Sequence, residues 1–164
     1  MAIVLQMCRR LDARPELPVV PGVGLRTFRG DNDIERWLAI REQAFAHESP
    51  PVRKWNAADF RAEFLDKPWW QPDCQWFAES VEPADPIGTL TLAMRGSGGD
   101  ARPVIHWLAV VPQWRRRGVG RLLTAALERY CWDTGFREVR LETHENWKSA
   151  VAFYRKLGYT VATS

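Results

Sequence analysis

The sequence has little cysteine. Cys8, Cys74 and Cys131 are odd in number and far apart, and no Cys-x-x-Cys occurs. That excludes a disulfide framework and the usual zinc spacings, and it makes a reducing cytoplasm the expected location. Long apolar runs are missing too. None reaches the roughly 18–20 residues of a membrane span, and Met1-Ala2-Ile3-Val4-Leu5 is too short for the core of a secretory signal. Positive charge is not concentrated. Lys and Arg number 23 against 20 acidic residues, a net +3, and the one basic tract is Arg115-Arg116-Arg117. A nucleic-acid interface is therefore not expected, whereas a small anionic ligand suits the modest excess. Neither common nucleotide loop is present, Gly-x-x-x-x-Gly-Lys-Ser/Thr or Gly-x-Gly-x-x-Gly. No internal repeat and no low-complexity segment occurs.

What is present is an ordinary globular composition, 46% apolar and 26% charged over 164 residues, enough for one domain with a real core. Tryptophan is abundant, at nine copies, enough to fill a core and line a cleft. The chain is organised around Val110 to Leu123. Val104 to Val111 is short, apolar and β-branched, which predicts a buried strand, and Pro112 ends it. Val119, Leu122, Leu123, Ala126, Leu127 and Tyr130 recur at three- and four-residue spacing, which predicts a helix with one buried face. Between them lie Arg115, Arg116, Arg117, Gly118 and Gly120. Strand, basic glycine-bearing loop and helix N-terminus together make an anion cradle. The glycines allow close backbone approach, and the first helical turn offers free N–H groups and a positive dipole end.

The rest of the chain alternates in the same way. Ile3 to Arg9 predicts an extra N-terminal strand, and Pro15, Pro18 and Pro21 make residues 11–22 an extended connector. Val23 to Arg29 predicts the first core strand. A helix follows to about Ala46, stopped by His47-Glu48-Ser49-Pro50-Pro51, and a second starts at Asn56 or Asp59 and ends at Pro68. Gln75–Ser80 and Ile87–Arg95 predict a hairpin around a turn at Glu82–Pro86. Gly96 to Asp100 is the most flexible link. Gly135 closes the long helix. Glu138–Thr143 is a strand, and a helix opening at Asn146 or Trp147 carries Ala150, Phe153, Tyr154 and Leu157 inward. Gly158 closes it, and Tyr159–Ala162 is a short last strand. The order β-αα-βββ-α-β-α-β, with the extra N-terminal strand, predicts an α/β (α+β) fold. It has a mixed, mostly antiparallel sheet of six to seven strands and about four flanking helices. Residues 1–22 are expected to be an extension and 23–164 a single domain.

Arg115-x-x-Gly118-x-Gly120 resembles the coenzyme A loop of the GNAT superfamily of N-acetyltransferases, whose pattern is Gln/Arg-x-x-Gly-x-Gly/Ala. Leu108-Ala109-Val110-x-Pro112 resembles that family's fourth strand. Asn146-x-x-x-Ala150-x-x-Phe153-Tyr154-x-x-x-Gly158-Tyr159 resembles its second signature. The resemblance covers most of residues 23–162 and is weak before them. It implies acetyl-CoA as co-substrate, with no metal, and transfer of acetyl to a primary amine of a small molecule or peptide. It also implies cofactor contacts from Leu108, Ala109, Val110, Arg115, Arg116, Arg117, Gly118, Val119, Gly120, Arg121, Asn146, Ala150 and Phe153. Tyr154 is then the expected general acid, since a phenol suits protonation of a thiolate better than base work at neutral pH.

Two residues compete for the base. Glu142 stands twelve residues before Tyr154, which is where a catalytic Glu stands in the ribosomal-protein acetyltransferases of the superfamily. It could equally be a strand carboxylate in an ion pair. His106 lies on the fourth strand and titrates in the right range, but could be a core histidine. His144 is a third, lesser candidate. The fourth-strand Glu of histone-type members has no counterpart, because the aligned stretch reads Pro103-Val104-Ile105. That departure leaves open an inert coenzyme A-binding module as the alternative. Acceptor selection is expected from Trp37, Phe45, His47, Arg53, Lys54, Trp55, Trp69 and Trp70, with Arg53-Lys54 meeting any anionic group. A homodimer is a possible assembly, and no membrane partner is expected.

Overall fold

The computed structural model describes residues 3–48 and 51–162. Among them, seven strands form one sheet in the order β2-β3-β4-β5-β6-β1-β7. In chain order these are β1 (Val4–Arg10), β2 (Val23–Thr27), β3 (Gln75–Val81), β4 (Ala84–Arg95), β5 (Arg102–Val110), β6 (Glu138–His144) and β7 (Thr160–Val161). The helices are α1 (Asn32–Ala44), α2 (Ala57–Phe60), α3 (Val119–Asp133) and α4 (Lys148–Lys156). The mixed, mostly antiparallel sheet with four α-helices is the architecture expected from the residue pattern. Every neighbouring pair is antiparallel except β5 and β6, which run parallel and are joined through α3.

The N-terminal strand is more than an edge addition. β1 pairs along its whole length with β6, from Val4 opposite His144 to Arg10 opposite Glu138. Its other side carries β7, with Met7 opposite Val161. Met7 is fully buried, and Leu11 follows it into the core. The short β7 therefore reaches the rest of the sheet only through β1. After Leu11 the proline-bearing connector runs without regular structure to β2.

Three local details differ from the residue pattern. The β3–β4 turn is tighter than Glu82–Pro86, because Ala84 and Asp85 already pair with Val81 and Ser80. Ser80 Oγ donates to the Pro83 carbonyl at 2.6 Å and closes that turn. α2 does not run on as an α-helix to Pro68. Asn56 caps it in a reciprocal capping box with Asp59, and the chain then widens into a π-helical turn over Arg61–Leu65. The stop assigned to Ser49-Pro50 lies outside the described residues. α1 ends at Ala44.

The core holds the expected helix faces: Ile34, Trp37 and Ile40 of α1, Phe60 and Phe64 below them, and Val119, Leu122, Leu123 and Leu127 of α3. α3 packs on β3, β4 and β5, α1 on β4 and β5, and α4 on β6. Gly88 of β4 permits the closest of these approaches, since a methyl there would lie 3.1 Å from both Leu123 Cδ1 and Val119 Cγ1. Beside β2, Asp33 accepts from Arg26, Arg36 and the Arg29 N–H. Burial alone would raise the Asp33 carboxyl, but these donors together hold it down at about 2. No helix among the described residues is long and apolar enough to cross a membrane.

Candidate active site

The site begins where two strands part. β5 and β6 are in register at Val104 opposite Arg140 and Ile105 opposite Leu141, and no pairing follows. A cavity of about 250 Å³ opens between the diverging ends. His106, Trp107 and Leu108 of β5 line one wall, and Glu142, Thr143 and His144 of β6 line the other. Ala150 and Tyr154 of α4, Phe45 beyond α1 and Val4 of β1 complete it. A crevice at the carboxyl ends of parallel strands is where sheets of this kind place ligands.

The parting has a local cause. The β4–β5 register shifts between Thr89 and Thr91, so Leu90 faces two residues, Trp107 and Leu108. This is a β-bulge, which twists the strand and re-aims its side chains. Trp107 carries the strain, with φ of 55° in the left-handed region that a bulky residue rarely enters. Phe45 and Trp55 pack edge-on against its ring at 5.5 and 5.4 Å and hold it there. No glycine marks the position, so sequence reasoning had no signal for it.

The anion cradle forms at the end of β5. A single 3₁₀ turn over Pro112–Trp114 leads into the arginines. Arg116 (φ 62°) and Gly118 (φ 92°) both take left-handed backbone, and Gly118 is the N-cap of α3. Leu122 N–H is bonded back to the Gly118 carbonyl, and the cap has no side-chain hydrogen bond. The amides of Val119, Gly120 and Arg121, ahead of the first full helical bond, are the donors a helix start offers an anion.

The arginines divide their work. The exposed Arg115 side chain donates to the carbonyls of Val110 and Ala44, and so ties the loop to β5 and α1. Its position in the motif did not reveal these two bonds. Arg117 lies over the Trp114 ring at 4.7 Å. Arg116 and Arg121 are exposed. Gly120 has a packing role besides any ligand approach, because a methyl there would lie 3.1 Å from Phe153 Cζ. Phe153 thus seats α4 against the start of α3, and the next residue, Tyr154, enters the cavity.

Tyr154 is 7% exposed, its ring packed on Phe153 and Tyr159. Burial pushes its phenol well above the ordinary value, so it stays protonated throughout the physiological range. Glu142 reaches the cavity from β6 and accepts a hydrogen bond from Gln6 Nε2 at 3.0 Å. Gln6 is its cross-strand partner on β1, a contact invisible before the strand order was known. His106 is boxed by Phe64, Trp69 and Trp107, at centroid distances of 5.6, 6.3 and 6.0 Å. Loss of water, then the charges of Arg95 and Lys67, lowers its pKa to about 4, so it is neutral at pH 7. His144 packs on Trp147 at 4.6 Å, and its buried Nδ1 has no partner. Asn146 is exposed, one residue before the Trp147 N-cap of α4.

The expected acceptor wall is split. Phe45 lines the cavity, while Trp37 is fully buried in the core against Phe60 and Phe64. Trp70 also packs inward, on Phe28 and Phe60. His47 is exposed. Arg53 is engaged by Asp59 at 3.1 Å and Lys54 by Glu42 at 3.3 Å.

Residues 35–159 match the family described as the Acetyltransferase (GNAT) family. A mycothiol acetyltransferase of Salinispora arenicola is 35% identical over 161 residues, covering 96% of this chain and 51% of that protein. One from Thermobispora bispora is 32% identical over 89% of this chain and 48% of its own length. The chain thus spans about half the length of these relatives. In fold, it is similar to a GCN5-related N-acetyltransferase from Sphaerobacter thermophilus, with a TM-score of 0.78 at 22% identity over 97% of this chain and 48% of that one. It is also similar to the NatC complex bound to Gag peptide and CoA, with a TM-score of 0.63 at 21% identity over 82% of each chain.

Proposed function

The chain belongs to the GNAT family of acetyltransferases, and from that premise we propose that it moves an acetyl group from acetyl-CoA to a primary amine of a small molecule or peptide by direct attack. The observation that carries the reading is the meeting of Tyr154 and Glu142 in one cavity, opened by the parting of β5 and β6 beside the start of α3. In this reading the amides of Gly118 to Arg121, with Arg116 and Arg117, hold the pyrophosphate. Leu108, Ala109 and Val110 flank the pantetheine arm from β5, Ala150 and Phe153 from α4, and Asn146 from the turn before it. Main-chain N–H groups at the β5 bulge polarise the thioester carbonyl as it becomes tetrahedral.

Tyr154 gives a proton to the departing thiolate, a step worth about 10²-fold or more in rate. Glu142 accepts the proton of the attacking amine, oriented by Gln6. His106, neutral and enclosed, shapes the acyl end of the cavity. Its lowered pKa makes it a poor general base, because efficient ones titrate near the working pH. The acetyltransferase unit comprises residues 23–164 together with β1, which is built into its sheet. The relatives' name, mycothiol acetyltransferase, makes the acceptor of those enzymes the first to try.

The test is an amine screen read by free-thiol release from acetyl-CoA, with mass spectrometry of the products. The reading expects thiol release matched by an acetylated amine. Coenzyme binding with no acetylated product across the panel would leave the inert binding module instead.

A further inference from the structure

Arg41 is a buried cation that feels the charge of Asp59 but, among the described residues, has no carboxylate in ion-pair contact. It sits on α1 and is 5% exposed. Its guanidinium packs into the corner between two indoles, 4.3 Å from the Trp55 ring and 4.5 Å from the Trp107 ring. Nη1 donates to the Arg53 carbonyl at 2.8 Å, while the buried Nε has no partner. Among the described residues no carboxylate pairs with it. The nearby acids are taken, Asp59 by Arg53 and Glu42 by Lys54. The two cations that the sequence offered to an anion are thus already engaged, and the uncommitted one is Arg41.

Arg41 borders a second cavity of about 270 Å³, walled by Leu38, Val52 and Trp55, with Lys54 and the Glu42 it pairs with also on its lining. The two cavities adjoin. Phe45 lines both, and Trp107, which lines the first, packs on the Arg41 guanidinium that borders the second.

Resting on the acetyl-transfer reading above, we infer that this second cavity receives an anionic group of the acceptor amine, a carboxylate in the first instance, and that Arg41 is the side chain that recognises it. An unpaired charge out of water is unfavourable, so a bound anion supplies what the fold leaves out. The fork suits the task. With Nη1 on the Arg53 carbonyl, Nε is left as a buried donor without a partner, the group that an entering carboxylate would satisfy. Residue type matters as well. Desolvation, then the charge of Arg53, lowers Arg41 to about 10, which still leaves it a cation at pH 7. A lysine starts from a lower pKa and, so desolvated, would be close to losing its charge. The apolar walls at Leu38 and Val52 favour an acceptor whose amine and carboxylate are joined by a short carbon chain.

The experiment compares straight-chain ω-amino acids, from three to eight carbons, with their carboxamides, using the full chain and acetyl-CoA. At the best chain length the acid is expected to show kcat/KM about tenfold to a hundredfold above its amide, the range for a charge-assisted pair. Arg41→Gln is expected to erase that ratio. If this variant does not fold, inhibition of the wild type by n-alkanoates decides the matter, and competition against the amine rather than acetyl-CoA supports the inference. Equal kcat/KM for acids and amides in the wild type overturns it and leaves the acetyltransferase reading standing. An Arg41→Gln effect confined to the KM for acetyl-CoA also overturns it, by assigning the anion to a coenzyme phosphate. Absence of turnover with every amine overturns the inference and the acetyl-transfer reading together.

Discussion

Tyr154 and His106 enter one cavity and are perturbed by the same cause, loss of water, with opposite consequences. Burial holds the phenol in its protonated, donating form and the imidazole in its neutral form. Tyr154→Phe keeps the ring packing on Phe153 and Tyr159 and removes only the proton donor. Steady-state turnover is expected to fall about 100-fold, with little change in acetyl-CoA affinity by titration. A loss of affinity in place of turnover would assign the hydroxyl to binding. His106 makes a prediction in pH. Its pKa is about 4 in the folded chain and about 6.5 unfolded, so between those values the unfolded chain binds more protons. Stability is therefore complete above pH 6.5 and falls as pH drops towards 4. Urea midpoints across that window should fall more steeply for the wild type than for His106→Gln. Identical slopes would place His106 in a wetter setting. The family resemblance pointed to Tyr154 and Glu142, and position on the fourth strand to His106, and all three line one cavity. Arg41 and the strained Trp107 could not be singled out in the sequence, since burial without a partner and a left-handed φ leave no trace in spacing.

At the scale of elements, the anion cradle depends on how α3 starts. Gly118 at φ 92° sets the direction of the first amides, and space is not the constraint, since a methyl there would lie 3.4 Å from Val20 Cγ2. Gly118→Ala should therefore act through backbone strain, lowering stability by about 1–2 kcal/mol. It should also weaken acetyl-CoA binding as the amides turn away. A urea melt and a ligand titration on the same variant check both, and an unchanged affinity would move the pyrophosphate elsewhere. The periodicity of α1, α3 and α4 and the alternation of β2 to β6 were plain in the residues, because burial of one face imposes those patterns. The π-helical turn after Phe60 and the tie that Arg115 makes to two carbonyls were not. Both are settled by tertiary contacts: the packing of Phe64 among aromatic rings, and the carbonyls of Val110 and Ala44.

Over the whole molecule, the arrangement turns on β1. Residue alternation identified it as a strand, but a strand's neighbours are non-local, and nothing in the first ten residues says that they lie between β6 and β7. There β1 supplies Gln6 to Glu142, Val4 to the cavity and the fully buried Met7 to the core. Met7→Ala should lower unfolding free energy by about 2–5 kcal/mol in a single cooperative transition. A change within about 0.5 kcal/mol, the range for surface substitutions, would make the strand a dispensable addition. The central claim is that one chain of this length holds the whole acetyl-CoA site, built from β5, α3, β6 and α4. Calorimetric titration of acetyl-CoA into the chain tests it most directly. The account predicts one site per chain, with affinity in the range of about 1 μM to 1 mM typical for enzyme substrates. It is contradicted if millimolar acetyl-CoA gives no heat, or if saturation comes at one coenzyme for every two chains.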